Sequence, residues 1–388
     1  MPAELTTLHF TDIHEDTDKL AITKQYASKV DVVFFTGDIM EGHPTGNNTT
    51  IDRVIKQIQE TIHTPDIIEL SKQSNEILKK YVSDGKVDKD AIEEEDRTKL
   101  VALNEEINIL AEKKIEEGDL LGKILKAPKQ TYQTLETSFQ EIAKIAPVYG
   151  ILGNHDLTLA YEHIDSITFL ETTKEARIKG KTGIEFIIKG DLNTWEVPPA
   201  WSQQPLIYEA FKEHLIPYIS GNSIDNLDEK IKQALKTGNE NSASNLQSAK
   251  DNKDNIKAWQ DQERARLGDT DADIYLTHKL PDCDKARRTY GFATGDITRE
   301  YSANAKSVLG GHFHDGQIGY KTIPTLLEAA NDNETIEVDG NVVPLIKIDK
   351  DEPWQLNAGT EYFFIASYNK EKDIEHVDVY QYTYETAA

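Results

Sequence analysis

A short apolar strand, Val148-Tyr-Gly-Ile-Leu152, runs straight into Gly153-Asn154-His155-Asp156. This stretch constrains the chain more than any other. Asn154 offers a neutral oxygen that can ligate a cation, and His155 a proton donor or acceptor. Asp156 offers a carboxylate able to hold the His155 ring in one orientation. Taken alone, the same four residues also read as a β-turn with an Asx hydrogen bond. The choice between the two readings depends on what precedes and follows them.

The device recurs. Residues 5–14 form a β-rich run ending in Asp12-x-His14. Side chains two apart on a strand share a side, so Asp12 and His14 can converge on one point at the strand's C-terminal end, where ligands sit in open α/β sheets. Residues 18–29 suit a short helix. Val30–Thr36 is then a nearly continuous apolar strand, the kind buried on both faces of a parallel sheet, and it ends in Gly37-Asp38. Strand, helix and strand make a βαβ unit. Ala272–Thr277 delivers His278, and Ser307–Gly311 delivers His312-Phe-His314. His43, in a Gly/Pro/Asn-rich loop, is a candidate contact for a bound phosphate or plain surface.

Each cluster alone has a bland reading as a polar strand terminus or turn. Together they take up five of the eleven histidines, each at the end of an apolar strand. The donors are carboxylate, amide and imidazole. The single cysteine, Cys283, rules out an intramolecular disulfide and a Cys-based zinc site. Such a set suits Mn²⁺, Fe or Zn²⁺ better than the oxygen shell preferred by Mg²⁺ or Ca²⁺. Seven donors (Asp12, His14, Asp38, Asn154, His278, His312 and His314) are too many for one ion and suit two sharing a carboxylate.

Elsewhere the chain changes character. Residues 51–146 hold little strand signal. Leu100, Leu103, Ile107 and Leu110 space as a helical stripe, with a break at Asp84-Gly85 and a further helix over 130–144. This reads as a helical insertion that could serve as a cap, an arm or a homodimerisation element. Residues 221–268 read as a second polar insertion, with Thr237–Asp254 as its loop. Trp195–Trp201 reads as an aromatic, proline-rich loop. The remaining segments, 1–50 and 147–388, form a discontinuous core. The C-terminal strands, including Glu361–Tyr368 and residues 376–383, are expected to complete a second sheet.

The order Asp-x-His, Gly-Asp, Gly-Asn-His-Asp, a single His and Gly-His-x-His resembles the signature of the calcineurin-like metallophosphoesterases. The resemblance covers about residues 1–50, 147–160 and 270–320, with a weaker echo in Leu356-Asn-Ala-Gly-Thr360. It implies an α/β fold, specifically a four-layer α/β/β/α sandwich with helical insertions. It implies two divalent ions, one held by Asp12, His14, Asp38 and His314 and the other by Asp38, Asn154, His278 and His312. It further implies hydrolysis of a phosphomonoester or phosphodiester by a hydroxide bridging the ions. His155 would be the catalytic group facing the phosphoryl oxygens or leaving group, and Asp156 its orienting partner. The text Gly37-Asp-Ile-Met-Glu-Gly42 departs from the Gly-Asp-x-x-Asp-Arg-Gly of the protein phosphatases, and the missing Arg removes a phosphate clamp.

The expected substrate is therefore a small-molecule phosphoester. A nuclease resembling the Mre-type enzymes is the alternative, but a net charge of −25 over 388 residues argues against a broad nucleic-acid surface. A non-catalytic scaffold on the same fold ranks lower, because every ligand position is filled. No apolar run approaches a membrane span, and strand pattern from Leu5 leaves no room for a signal peptide. The expected location is the cytoplasm, with no membrane partner.

Overall fold

The computed structural model describes residues 3–41, 49–83, 86–88, 91–118, 120–153, 155–156, 159–191, 261–280, 296–312, 314, 316–318, 321–322, 335–338, 341–344 and 354–382. Asn154, His43, Cys283, residues 192–260 and the Trp195–Trp201 loop lie outside them. The chain divides into two compact units. One comprises residues 1–42, 129–199 and 256–388, the other 43–128 and 200–255.

The first unit is mixed α/β. β1 (Leu5–Phe10), β2 (Val32–Thr36), β5 (Val148–Ile151) and β6 (Ile167–Phe169) lie parallel, in that spatial order. A second sheet has a parallel centre of β8 (Glu185–Asp191), β9 (Ile274–Lys279), β10 (Ser307–Gly311) and β15 (Trp354–Asn357). β7 (Ala176–Lys179) borders it antiparallel on one side, and β11 (Gln317–Ile318) and β12 (Lys321–Thr322) on the other. β13 (Thr335–Val338) and β14 (Asn341–Pro344) pair as a separate two-stranded sheet.

β2 shows why these strands form. All five of its residues are buried, which a run of Val, Val, Phe, Phe and Thr tolerates and a polar strand would not. Val32 and Phe34 join one apolar cluster with Ile274, Leu276, Leu309 and Leu356 of the second sheet, so both sheets draw on a single core. Full burial of a side chain such as Phe34 contributes about 2–3 kcal/mol. Phe35 points the other way, 5.1 Å from the Phe10 ring and 5.7 Å from Phe139 of α5 (Leu120–Ala143). On the second sheet, the side away from the shared core carries Tyr275, Val308 and Leu280, packed with Tyr301 of α7 (Asp296–Ser302). A one-turn helix, α6 (Ala160–His163), follows β5.

The C-terminal strands correct one expectation. β16 (Tyr362–Tyr368) and β17 (Ile374–Gln381) join the first sheet, not the second. β16 runs antiparallel along β1, with Leu5 opposite Tyr368 and His9 opposite Phe364. The reason is burial: Leu5, Leu8 and Phe10 are wholly buried, so the backbone of β1 needs partners on both sides. β2 supplies one and β16 the other.

Asp16 caps the helix between β1 and β2, α1 (Thr17–Ala27), accepting from the N–H groups of Asp18 and Lys19. Tyr26 on α1 rests against Phe363 and Tyr380, 4.9 and 4.7 Å away between ring centres. The parallel order has one consequence for function. The C-terminal ends of β1, β2 and β5 fall on one edge of their sheet, and those of β9 and β10 on one edge of theirs.

The second unit holds α2 (Thr50–Ile62), α3 (Pro65–Lys79) and α4 (Glu94–Glu117), with a small hairpin of β3 (Val82–Ser83) and β4 (Lys86–Val87) between α3 and α4. Leu78, Ile92 and Leu100 form its described core. Asp96 at the start of α4 accepts from Lys80 Nζ at 2.9 Å and Tyr81 Oη at 2.8 Å. The break expected at Asp84-Gly85 falls between β3 and β4. Among the described residues, no helix is long and apolar enough to cross a membrane.

Candidate metal centre

The strand ends meet. Ligand atoms of Asp12, His14 and His314 lie within 4.8 Å of one another, as do those of His14, Asp38 and His155, and those of Asp38, His278 and His312. These three groups of Asp and His could each hold a metal ion. His14 belongs to two of them, and so does Asp38, which links the β1 and β10 ends to the β9 end. Asp12, Asp38 and His278 are buried, whereas the His314 side chain is about half exposed at 57%.

The backbone is bent to achieve this. Six described non-glycine residues have left-handed φ angles, and five are Asp12, His14, Glu15, Asp38 and His312. Each such residue costs about 1–2 kcal/mol relative to a right-handed one, so the cluster of five is large against ordinary fold stability. Strain of this kind concentrates where function requires it. Two turns share the load through a ladder: Asp12 N–H donates to Gly37 C=O, His14 N–H to Asp38 C=O and Glu15 N–H to Ile39 C=O, at 2.8–3.1 Å. Two glycines make room. A Cβ on Gly153 would overlap Asp38 Oδ1, and one on Gly311 would overlap Thr11 Oγ1 and lie 2.7 Å from Asp12 Oδ2.

Further bonds fix the side chains. His312 N–H donates to both Asp12 oxygens at 3.0 and 3.1 Å, and His155 N–H to Asp38 Oδ1 at 3.0 Å. His278 Nδ1 donates to Thr36 C=O at 2.7 Å, which turns Nε2 toward Asp38 Oδ2 at 3.2 Å. His14 Nδ1 donates to Met40 C=O at 3.1 Å. That leaves His14 Nε2 buried without a hydrogen-bond partner, 3.9 Å from Asp12 Oδ1. A ring whose Nδ1 is bonded to a backbone carbonyl presents Nε2 as a metal ligand.

Charge in the site is unbalanced in the way a cation would correct. Burial works to raise the Asp38 carboxyl, but the adjacent His278 ring outweighs it and holds the group well below the usual carboxylate range. Burial disfavours the charged His278 ring, and the Asp38 carboxylate overcomes this, raising it to about 9. Asp12 is pushed upward, first by burial and then by repulsion from Asp38. Two carboxylates this close do not both ionise readily without added positive charge. The orphaned His14 Nε2, the mixed imidazole–carboxylate donors and the opposed Asp12 and Asp38 all fit bound divalent ions.

Asp156 stands where two turns meet. Asp156 accepts from the backbone N–H groups of Ile39, Met40 and Gly153, at 2.8, 3.1 and 2.9 Å. It thus ties the β2 and β5 turns together, and burial followed by the Asp38 charge raises it to about 7. Besides Asp38, the Glu41 carboxylate lies beside the His155 ring, with Oε1 3.7 Å from His155 Nδ1 and Oε2 3.7 Å from His14 Nδ1. Sequence reasoning missed Glu41. The available signal was an acidic residue three places after Asp38, in the turn that replaces the phosphatase-type Asp-Arg.

No family model matches the chain, and no curated protein matches it. Among solved structures, TT1561 of Thermus thermophilus is 8% identical with a TM-score of 0.36, over 97% of this chain and 98% of that one. A second solved structure is 10% identical with a TM-score of 0.39, over 99% of this chain and 100% of its own. At these TM-scores neither likeness bears on fold or function.

Proposed function

We propose that this chain is a dinuclear metal-dependent phosphoester hydrolase of the calcineurin-like type, its core an α/β/β/α sandwich. The observation that carries the reading is the junction at Asp38. One buried carboxylate belongs to two ligand groups, drawn from strand ends of two sheets, in a backbone strained at five of its residues. One ion is assigned to Asp12, His14, Asp38 and His314, and the other to Asp38, His278 and His312 together with Asn154. The donor set favours Mn²⁺, Fe or Zn²⁺.

A pair of such ions supplies charge stabilisation at a phosphoryl group and acidifies water. The protein's own residues do the rest. His155, anchored through its N–H to Asp38, holds a proton for the leaving oxygen. Glu41 lies beside that ring, its Oε1 3.7 Å from His155 Nδ1. Asp156 keeps the β5 turn, and so His155, in register with Asp38. The substrate reading is a small-molecule phosphoester.

The test combines metal analysis with hydrolysis. Protein purified without chelator should carry about two ions per chain and release nitrophenolate from nitrophenyl phosphate esters. His155→Ala should keep its metal and lose about a hundredfold or more in kcat. Metal-free protein with no turnover under added Mn²⁺, Fe²⁺ or Zn²⁺ would sink the reading.

A further inference from the structure

We infer that Asp156 is a positioning residue for His14: its carboxylate holds the turn whose carbonyl aims the His14 ring at the ion assigned to Asp12, His14, Asp38 and His314. This rests on the two-ion reading above and adds to it a link between the β5 turn and one of the two ions.

The link runs through backbone. β2 ends at Thr36, and beyond it Asp38 has a left-handed φ of 59°. No strand ladder therefore fixes the peptides at Ile39 and Met40. Asp156 does so from β5's turn. Its Oδ1 accepts from Ile39 N–H at 2.8 Å and from Met40 N–H at 3.1 Å, while its Oδ2 accepts from Gly153 N–H at 2.9 Å. Glu15 holds the same turn from β1's side. Its N–H donates to Ile39 C=O at 2.8 Å, and its Oε1 accepts from Glu41 N–H at 3.4 Å.

The next acceptor along this turn is Met40 C=O, 3.1 Å from His14 Nδ1. A carbonyl has no proton to give, so Nδ1 carries one. In a neutral ring that leaves the Nε2 lone pair for a cation. Nε2 is the buried atom that has no hydrogen-bond partner among the described residues. Outer groups that orient a ligating ring are worth about ten- to a hundredfold in metal affinity.

The two ions differ in their dependence on this turn. His278, assigned to the other ion, donates through Nδ1 to Thr36 C=O at 2.7 Å. Thr36 lies within β2, in register with Ile151 of β5, so the sheet itself aims the His278 ring. Loss of the Asp156 carboxylate should therefore loosen the His14 ion and spare the other.

The experiment is an equilibrium titration of the metal-free full chain with Mn²⁺, read by bound metal and needing no turnover. Wild type should bind about two ions per chain. Asp156→Ala should weaken one of them by about tenfold to a hundredfold and leave the other unchanged. His314→Ala marks the same ion, so the double variant Asp156→Ala/His314→Ala should still hold one ion tightly. Asp156→Asn, whose amide oxygen can still meet the Ile39 and Met40 N–H groups, should bind the His14 ion more tightly than Asp156→Ala does. Should Asp156→Ala not fold, Asp156→Ser, which also lacks the outer oxygens, takes its place. A folded Asp156→Ala that binds both ions as wild type does overturns the inference and leaves the two-ion reading intact. So does a double variant that binds neither ion tightly, since Asp156 would then serve the other ion. A wild type that binds no Mn²⁺ removes both.

Discussion

Asp38 and His314 occupy unequal positions in the same site. Asp38 is buried and belongs to two ligand groups, whereas His314 is half exposed and belongs to one. Asp38→Asn should therefore abolish binding of both ions, while His314→Ala should weaken one by about tenfold or more and spare the other. Metal stoichiometry after dialysis separates the two outcomes, and equal loss in both variants would contradict the shared-carboxylate assignment. The contrast between these residues and Glu41 also shows what a sequence can carry. Asp12, His14, His278, His312 and His314 were readable as neighbours because each follows an apolar strand, and parallel strands bring their C-terminal ends to one edge. Glu41 lies beyond β2, past the left-handed Asp38, where neither a two-residue nor a 3.6-residue period fixes the direction of a side chain. Asp156 was readable as a turn residue, but the backbone donors it would meet come from Ile39 and Met40, over a hundred positions away.

At the scale of elements, the β1–α1–β2 unit was legible from local pattern, since the apolar runs and the helical stretch between them all lie within 40 residues. The attachment of β16 and β17 to β1 was not. Alternation tells which face of a strand is buried and says nothing of which strand lies beside it. β1 also carries a testable oddity. His9 is buried, with Nε2 2.9 Å from Thr36 Oγ1 and Nδ1 without a hydrogen-bond partner. Burial lowers the ring to about 3 from a usual 6.5. Its contribution to stability is therefore present above pH 6.5 and is lost as pH falls toward 3, because the unfolded chain binds a proton that the folded one refuses. In metal-free protein, the loss of stability between pH 6.5 and 4 should be shallower for His9→Asn than for wild type. Parallel urea-midpoint curves for the two proteins would show that His9 is not the residue responsible.

For the molecule as a whole, metal and fold are linked. The strained turns and opposed carboxylates are borne by the folded state alone, so ions that bind there should stabilise it by mass action. At a thousandfold excess over Kd the gain is about 4 kcal/mol per site. Chelation should lower Tm by several degrees and Mn²⁺ restore it, with Asp38→Asn indifferent to both; an unchanged Tm would show that the site is not coupled to folding. The pairing of β1 with β16 has a further consequence, felt before the protein is complete. On the ribosome, at roughly 5–20 residues per second, the nascent β1 emerges some 20–70 s before β16 exists to lie beside it. Throughout that interval Leu5, Leu8 and Phe10 belong to a strand whose β16-facing edge is unpaired.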